Sequence, residues 1–249
     1  MAKAAMTRPT AARCRPPGRA PPDMTARLRR AHGGRTDTAA DGRIAITDEN
    51  GLEILDRVTG GRLALFPTEG TGYYPNLVFS ASGDRLLMNY NRSAEIVDLR
   101  EGVRRRLATP ASSVPTLTNF ICDDRYVAIA LDGPRFQLHD AATGELLRVF
   151  EGAFGLPTTV VCDNQAGLLM ANDLGGYATI WRIEGGAPIA QFKLANKFND
   201  TAWLPATRMM VGAARNSRLY VVPVPLEMRS PAELEQSLRE RIPALADGR

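Results

Sequence analysis

The sequence predicts an all-β chain assembled from small, nearly identical sheets, and three observations carry that expectation. A short pattern returns at a constant interval, each copy alternates apolar and polar residues with the period of a strand, and glycine-bearing turn dipeptides stand between the runs. The 249 residues, 44% of them hydrophobic, suffice for one large core or for a row of small ones.

The repeated segments are Leu52–Gly60 (LEILDRVTG), Ala94–Gly102 (AEIVDLREG), Phe136–Gly144 (FQLHDAATG) and Ala178–Gly186 (ATIWRIEGG), spaced by 42 residues. Apolar positions recur at Ile54, Ile96, Leu138 and Ile180, an acid at Asp56, Asp98 and Asp140, and a glycine at Gly60, Gly102, Gly144 and Gly186. A fifth copy begins at Tyr220, with Val222 expected in register. Such alternation marks a half-buried strand, and the closing Thr-Gly or Gly-Gly supplies the positive φ of a tight turn.

Another apolar run precedes each segment, at Arg43–Thr47, Arg85–Asn89, Arg125–Ala130, Gly167–Ala171 and Arg208–Ala213. Hairpin signals such as Asn50-Gly51 and Gly175-Gly176 lie between the two. A third run follows each glycine (Arg62–Phe66, Arg104–Ala108, Glu145–Phe150, Pro188–Leu194), and a fourth precedes the hairpin (Leu77–Ser80, Thr118–Cys122, Thr159–Cys162, Thr201–Leu204). Four short strands in every 42 residues predict the blade of a β-propeller. The expected architecture is an arc of about four to five four-stranded blades over residues 43–228. Its first blade starts at the second strand and its last stops after the third. An open arc leaves strand edges unpaired. A five-blade ring closed by the tail, an arc completed by a second copy or a partner, or the carboxyl-terminal half of a larger parent protein would resolve this, and the last is the expectation adopted.

The runs Ile54-Leu55-Asp56-Arg57-Val58-Thr59-Gly60 and Leu138-His139-Asp140-Ala141-Ala142-Thr143-Gly144 resemble the closing strand and turn of the WD-repeat (WD40-like) family, and the resemblance extends over residues 43–226. The Trp-Asp pair is degenerate, reading Leu55-Asp56, Val97-Asp98, His139-Asp140 and then Trp181-Arg182, and the opening Gly-His pair is absent. The resemblance implies a non-catalytic protein-interaction scaffold or sensing module, with the repeated acid serving structure inside its own blade. It also implies that partners are held by the loops joining consecutive blades and by the hairpins between middle strands. Those loops carry Tyr73, Tyr74, Phe154 and Phe198, the partner-binding candidates, because aromatic side chains anchor interfaces.

Residues 1–42 hold nine basic and three acidic side chains, with few large apolar ones, and are expected to be a disordered Arg/Pro/Ala-rich tail. The remainder holds 22 basic and 24 acidic residues, so the basic pI comes from the tail and argues against a nucleic-acid partner. Ser230-Pro231-Ala232-Glu233 is a capping box. It predicts an amphipathic helix within residues 229–249, with Leu234, Leu238, Ile242 and Leu245 on one face.

No apolar run is long enough to cross a bilayer as a helix. Cys14, Cys122 and Cys162 show no CxxC spacing, so neither a disulfide framework nor a zinc site is expected. Cys122 and Cys162 occupy similar places in neighbouring repeats and are read as buried thiols, which with the missing secretory signal points to the cytoplasm. His32 lies in the tail, and His139, before the repeat's acid, is read as structural. No HExxH, GxSxG, GxGxxG or phosphate-loop pattern occurs. No catalytic residue, cofactor or metal is therefore expected. The alternative is a propeller enzyme of hydrolase or quinoprotein type, with acids or histidines converging at one axial end.

Overall fold

The computed structural model describes residues 36–48, 51–67, 76–90, 93–110, 113–194, 198–214 and 218–224. These residues form five antiparallel sheets, each a meander in chain order. Blade 1 is β1 (Thr36–Thr38), β2 (Arg43–Asp48), β3 (Gly51–Asp56) and β4 (Arg62–Pro67). Blade 2 is β5 (Asn76–Phe79), β6 (Arg85–Tyr90), β7 (Ser93–Asp98) and β8 (Arg104–Leu107). Blade 3 is β9 (Leu117–Ile121), β10 (Tyr126–Ala130), β11 (Phe136–Asp140) and β12 (Leu146–Phe150). Blade 4 is β13 (Pro157–Asp163), β14 (Leu168–Asp173), β15 (Tyr177–Arg182) and β16 (Pro188–Lys193). Blade 5 has three described strands, β17 (Phe198–Leu204), β18 (Met209–Ala214) and β19 (Leu219–Pro223).

The first strand of each blade packs on the first strand of the next, so β1, β5, β9, β13 and β17 line the inside of an arc. Outer strands β4 and β16 are mostly solvent-facing, while β10 and β14 are buried along their whole lengths. The middle strands are apolar on both faces because each face meets a different blade.

Cross-strand register shows how the seams are built. Paired residues share a sheet face, and the row Val161–Met170–Ile180 in blade 4 is matched by Val78–Leu87–Ile96 in blade 2. This row turns toward the following blade. Ile180, Met170 and Leu168 bury against Phe198 and Met210 of blade 5, and Leu87 and Ile96 bury against Phe120, Val127 and Ile129 of blade 3. The seam between blades 3 and 4 is the most aromatic: Phe136 stacks on Phe150 at 4.8 Å, and Trp181 meets both rings edge-on at 5.3 and 6.1 Å.

Polar pins add direction. Arg43 Nη2 donates to the Gly83 carbonyl at 2.8 Å and Arg85 Nη2 to the Asp124 carbonyl at 3.0 Å, the same contact one blade further on. Asp37 accepts from the Phe79 N–H at 2.7 Å, and Trp203 Nε1 donates to Asp163 at 2.8 Å. Asn89, in the seam between blades 2 and 3, is 1% exposed, and neither end of its amide has a partner among the described residues.

The repeated acid closes the outer turn of blades 1, 2 and 3. Asp56 Oδ1 accepts the N–H groups of Val58 and Thr59, Asp98 Oδ1 those of Arg100 and Glu101, and Asp140 Oδ1 those of Ala142 and Thr143. The Thr59, Glu101 and Thr143 N–H groups chiefly hold these carboxyls below the usual aspartate value.

Three readings of the sequence change. The first blade is complete, because β1 pairs with β2 through Thr36↔Ile46 from within the segment expected to be tail. The fifth copy is one residue out of the expected register: β14 and β18 begin 41 residues apart, so Val221, not Val222, is the counterpart of Ile180, and Val222 turns toward blade 4. A one-residue shift exchanges the faces of a strand. Cys122 and Cys162 are not free thiols but a disulfide that joins blade 3 to blade 4. Equivalent positions at the ends of adjacent innermost strands meet near the axis. That pairing also removes the reduced-thiol argument for a cytoplasmic location. The expected helix in residues 229–249 lies outside the described residues.

Reducing the disulfide should lower stability by about 2–4 kcal/mol, read from urea unfolding with and without reductant; an unchanged midpoint would contradict the clamp. The turn aspartates, whose folded pKa values are depressed, contribute stability that is full above their unfolded value of 3.8 and lost as pH falls through the lower folded values. Asp140→Asn keeps the turn acceptor but cannot titrate as the native carboxyl does, so thermal melts should lose stability less steeply on acidification than the native chain's.

Candidate functional site

The end of the arc that carries the β14–β15 hairpin and the connection from blade 3 to blade 4 brings two exposed apolar side chains, Phe154 and Leu174, to one place. Residues 151–156 form that connection, and three donors tie it to blade 4. Trp181 Nε1 donates to the Glu151 carbonyl at 2.9 Å, Gln191 Nε2 to the Gly152 carbonyl, and the Leu174 N–H to the Leu156 carbonyl at 3.1 Å. The hairpin is short because Gly176, with φ +82°, turns the chain while its N–H bonds back to the Asp173 carbonyl.

On this base Phe154 stands 61% exposed, its ring 4.5 Å from that of Tyr177. Lys193 Nζ lies 5.6 Å from the Tyr177 ring centroid, a cation over an aromatic face. Leu174, 43% exposed, projects from the hairpin. Below them Asp173 is 2% exposed. Its Oδ1 accepts the Tyr177 N–H at 3.0 Å, while Oδ2 has no partner among the described residues. Gly155 crosses directly above: a Cβ there would sit 3.4 Å from the Asp173 carboxyl carbon. The result is an aromatic and aliphatic surface with one cation at its margin and a carboxylate beneath it.

The structure divides the four partner-binding candidates. Phe154 is exposed, as a binding anchor must be. Phe198 is not available: it begins β17, is 2% exposed, packs 5.9 Å from Tyr220 and covers Gly212, where a Cβ would lie 2.5 Å from its ring. It is a seam residue, because the last innermost strand begins three residues earlier than the run Thr201–Leu204 suggested. Tyr73 and Tyr74 lie outside the described residues. Tyr177, Leu174 and Lys193 were not singled out in the sequence, although the Gly175-Gly176 hairpin beside them was.

The side chains considered for chemistry have structural occupations. His139 is fully buried, with Nδ1 3.2 Å from the Gly144 carbonyl and Nε2 3.4 Å from Gln137 Oε1. Burial lowers its pKa, outweighing the carbonyl's opposite pull, so it is neutral at pH 7. A cleft between blades 4 and 5 at the opposite end is lined by Asp163, Trp203 and Arg208. Both Asp163 oxygens there are taken, by the Ala166 N–H and by Trp203. Among the described residues no group of three His, Cys, Asp or Glu side chains could hold a metal ion, and no helix is long and apolar enough to cross a membrane.

No protein-family model matches the chain, and no curated protein matches it. Solved structures do. A chain from the "Crystal Structure of Mitotic Checkpoint Complex" superposes with a TM-score of 0.60 at 14% identity, over 72% of this chain and 58% of that one. The computationally designed Ika8 protein superposes with a TM-score of 0.62 at 14% identity, over 76% of this chain and 57% of that one. The chain thus spans a little more than half the length of the structures it matches. At this identity the likeness shows the fold, a β-propeller arc.

Phe154→Ala should cost less than about 1 kcal/mol, whereas Phe198→Ala should cost about 3–5 kcal/mol. Chemical denaturation of both variants checks the assignment, and equal losses would overturn it.

Proposed function

We propose that the chain is a non-catalytic scaffold of the WD-repeat type, and that the blade 4 end of its arc holds an extended segment of a partner protein carrying an apolar residue beside an acid. The observation that carries this reading is Phe154. Among the described residues of the inter-blade connections it is the largest exposed apolar side chain, and three hydrogen bonds anchor its loop to blade 4. A preorganised aromatic anchor gives up little entropy on binding. Leu174 widens the apolar contact, and Lys193 offers the charge that an acidic neighbour would meet.

The absence of catalysis is part of the proposal. The repeated aspartates spend their lone pairs on their own turns, and His139 faces a carbonyl and an amide inside a sheet. The neighbour from a mitotic checkpoint complex works inside a protein assembly by its title, which supports the same class of role for this arc.

Panning a random peptide phage library on the purified chain tests the proposal. Peptides pairing an aliphatic or aromatic residue with Asp or Glu should be enriched, and their binding should weaken at least tenfold with Phe154→Ser and with Lys193→Glu. Binding unaffected by both changes would reject this site.

A further inference from the structure

The turn between β9 and β10 is built unlike its counterparts. Where the first two strands of a blade meet, blades 1, 2 and 4 place one glycine at positive φ: Gly42 at +90°, Gly83 at +75° and Gly167 at +64°. Blade 5 places one arginine there, Arg208 at +52°. Blade 3 has no glycine at this turn. Cys122, Asp123 and Asp124 instead stand in succession at +54°, +56° and +62°. Aspartate tolerates the left-handed region better than most residues, and cysteine has no such allowance. Three of them in a row persist only where their surroundings hold them.

The holding groups come from the blades on both sides. From blade 4, Cys162 is bonded to Cys122, and Asn164 Nδ2 donates to Asp123 Oδ2 at 3.0 Å. From blade 2, the Ser82 N–H donates to Asp124 Oδ2 at 3.1 Å, and Arg85 Nη2 donates to the Asp124 carbonyl at 3.0 Å. The Arg85 guanidinium also lies 5.6 Å from the Phe120 ring centroid. Within the turn, the Arg125 N–H bonds to the Cys122 carbonyl at 3.1 Å. Asp123 is exposed and Asp124 half-exposed, so water competes for the polar ties. The disulfide is the one covalent tie, and it fixes the least tolerant of the three residues.

We infer that the Cys122–Cys162 bond is a redox switch: its opening releases the left-handed turn and, through Asp124, loosens the seam between blades 2 and 3 as well as the seam it spans. A dithiol reductant supplies the two electrons. Cys122 is 6% exposed and Cys162 half-buried, so the incoming thiolate reaches the Cys162 sulfur. The sulfur–sulfur bonding pair leaves with Cys122, whose thiolate takes a proton from water. The reductant's second thiol, as its thiolate, then displaces the Cys162 sulfur, which is protonated in turn, and the reductant closes on itself as a disulfide. A small-molecule disulfide reverses the exchange. The length of β13 separates this turn from the Phe154 loop, so the switch does not rest on the binding surface.

Hydrogen exchange of the full chain, read by mass spectrometry, tests the coupling. Cys14, outside the described residues, is changed to Ser so that only the pair reacts. With dithiothreitol, exchange at the Ser82 and Arg125 amides should rise at least about tenfold, and reoxidation with glutathione disulfide should restore it. The Gly176 amide, in the β14–β15 hairpin, and the circular dichroism spectrum should stay as they were. The Cys122→Ser, Cys162→Ser chain should exchange like the reduced one and ignore the reductant. Ser82 exchange that does not respond to reduction overturns the inference, because the bond then acts on its own seam alone. Loss of the β-sheet spectrum on reduction overturns it as well, because the bond is then a staple that the whole fold requires.

Discussion

Everything in this molecule depends on the burial of one apolar row per blade beneath the blade that follows. A sheet of three or four strands, each of three to seven residues, is too small to hold itself together. The rows through Ile54, Ile96, Leu138 and Ile180 solve that by making each sheet the lid of its neighbour. Because cohesion lies between blades rather than within them, stability sums over nearest neighbours, and an end of the array that lacks a neighbour exposes the apolar surface that the interior hides.

Polar groups then decide direction rather than strength. The Arg43 and Arg85 pins fix the offset between adjacent blades, and the turn aspartates fix the outer corners. The buried network of Asn172, Thr158 and Thr201 ties blade 4 to the Phe198 carbonyl of blade 5. Asn89, at the position of Asn172 two seams earlier, has no such network among the described residues, and a buried amide without partners costs free energy. The connection bearing Phe154 inherits its rigidity from the same pins, so the candidate binding surface is a product of seam construction.

The repeat was legible because period and alternation are properties of neighbouring residues in sequence. The strands of blades 2 to 4, the structural role of Asp56, Asp98 and Asp140, and the inward placement of His139 all follow from it. What could not be read depended on chain segments outside the pattern. β1 is three polar residues in an Arg-rich stretch and has no apolar signature of its own. A single residue lost before β18 moved the fifth copy by one position, which sequence spacing alone assigned to Val222. The Cys122–Cys162 bond requires knowing that like positions of adjacent blades converge on the axis, and 40 residues of separation conceal that. Phe198 reads as a loop residue in the sequence because Asn199 and Asp200, the two residues after it, are both polar and break the alternation. The surface around Phe154 was half visible: the loop was identifiable, but its partners Tyr177 and Lys193 lie on other strands.

The central claim is that adjacent blades hold each other, and the Phe136–Trp181 contact across the seam between blades 3 and 4 is the place to measure it. In a double-mutant cycle with Phe136→Leu and Trp181→Phe, the losses of unfolding free energy should fail to add by about 0.5–1.5 kcal/mol, the coupling of an edge-on aromatic pair. Losses that add to within about 0.3 kcal/mol would show that the two blades are stabilised separately, which contradicts the account.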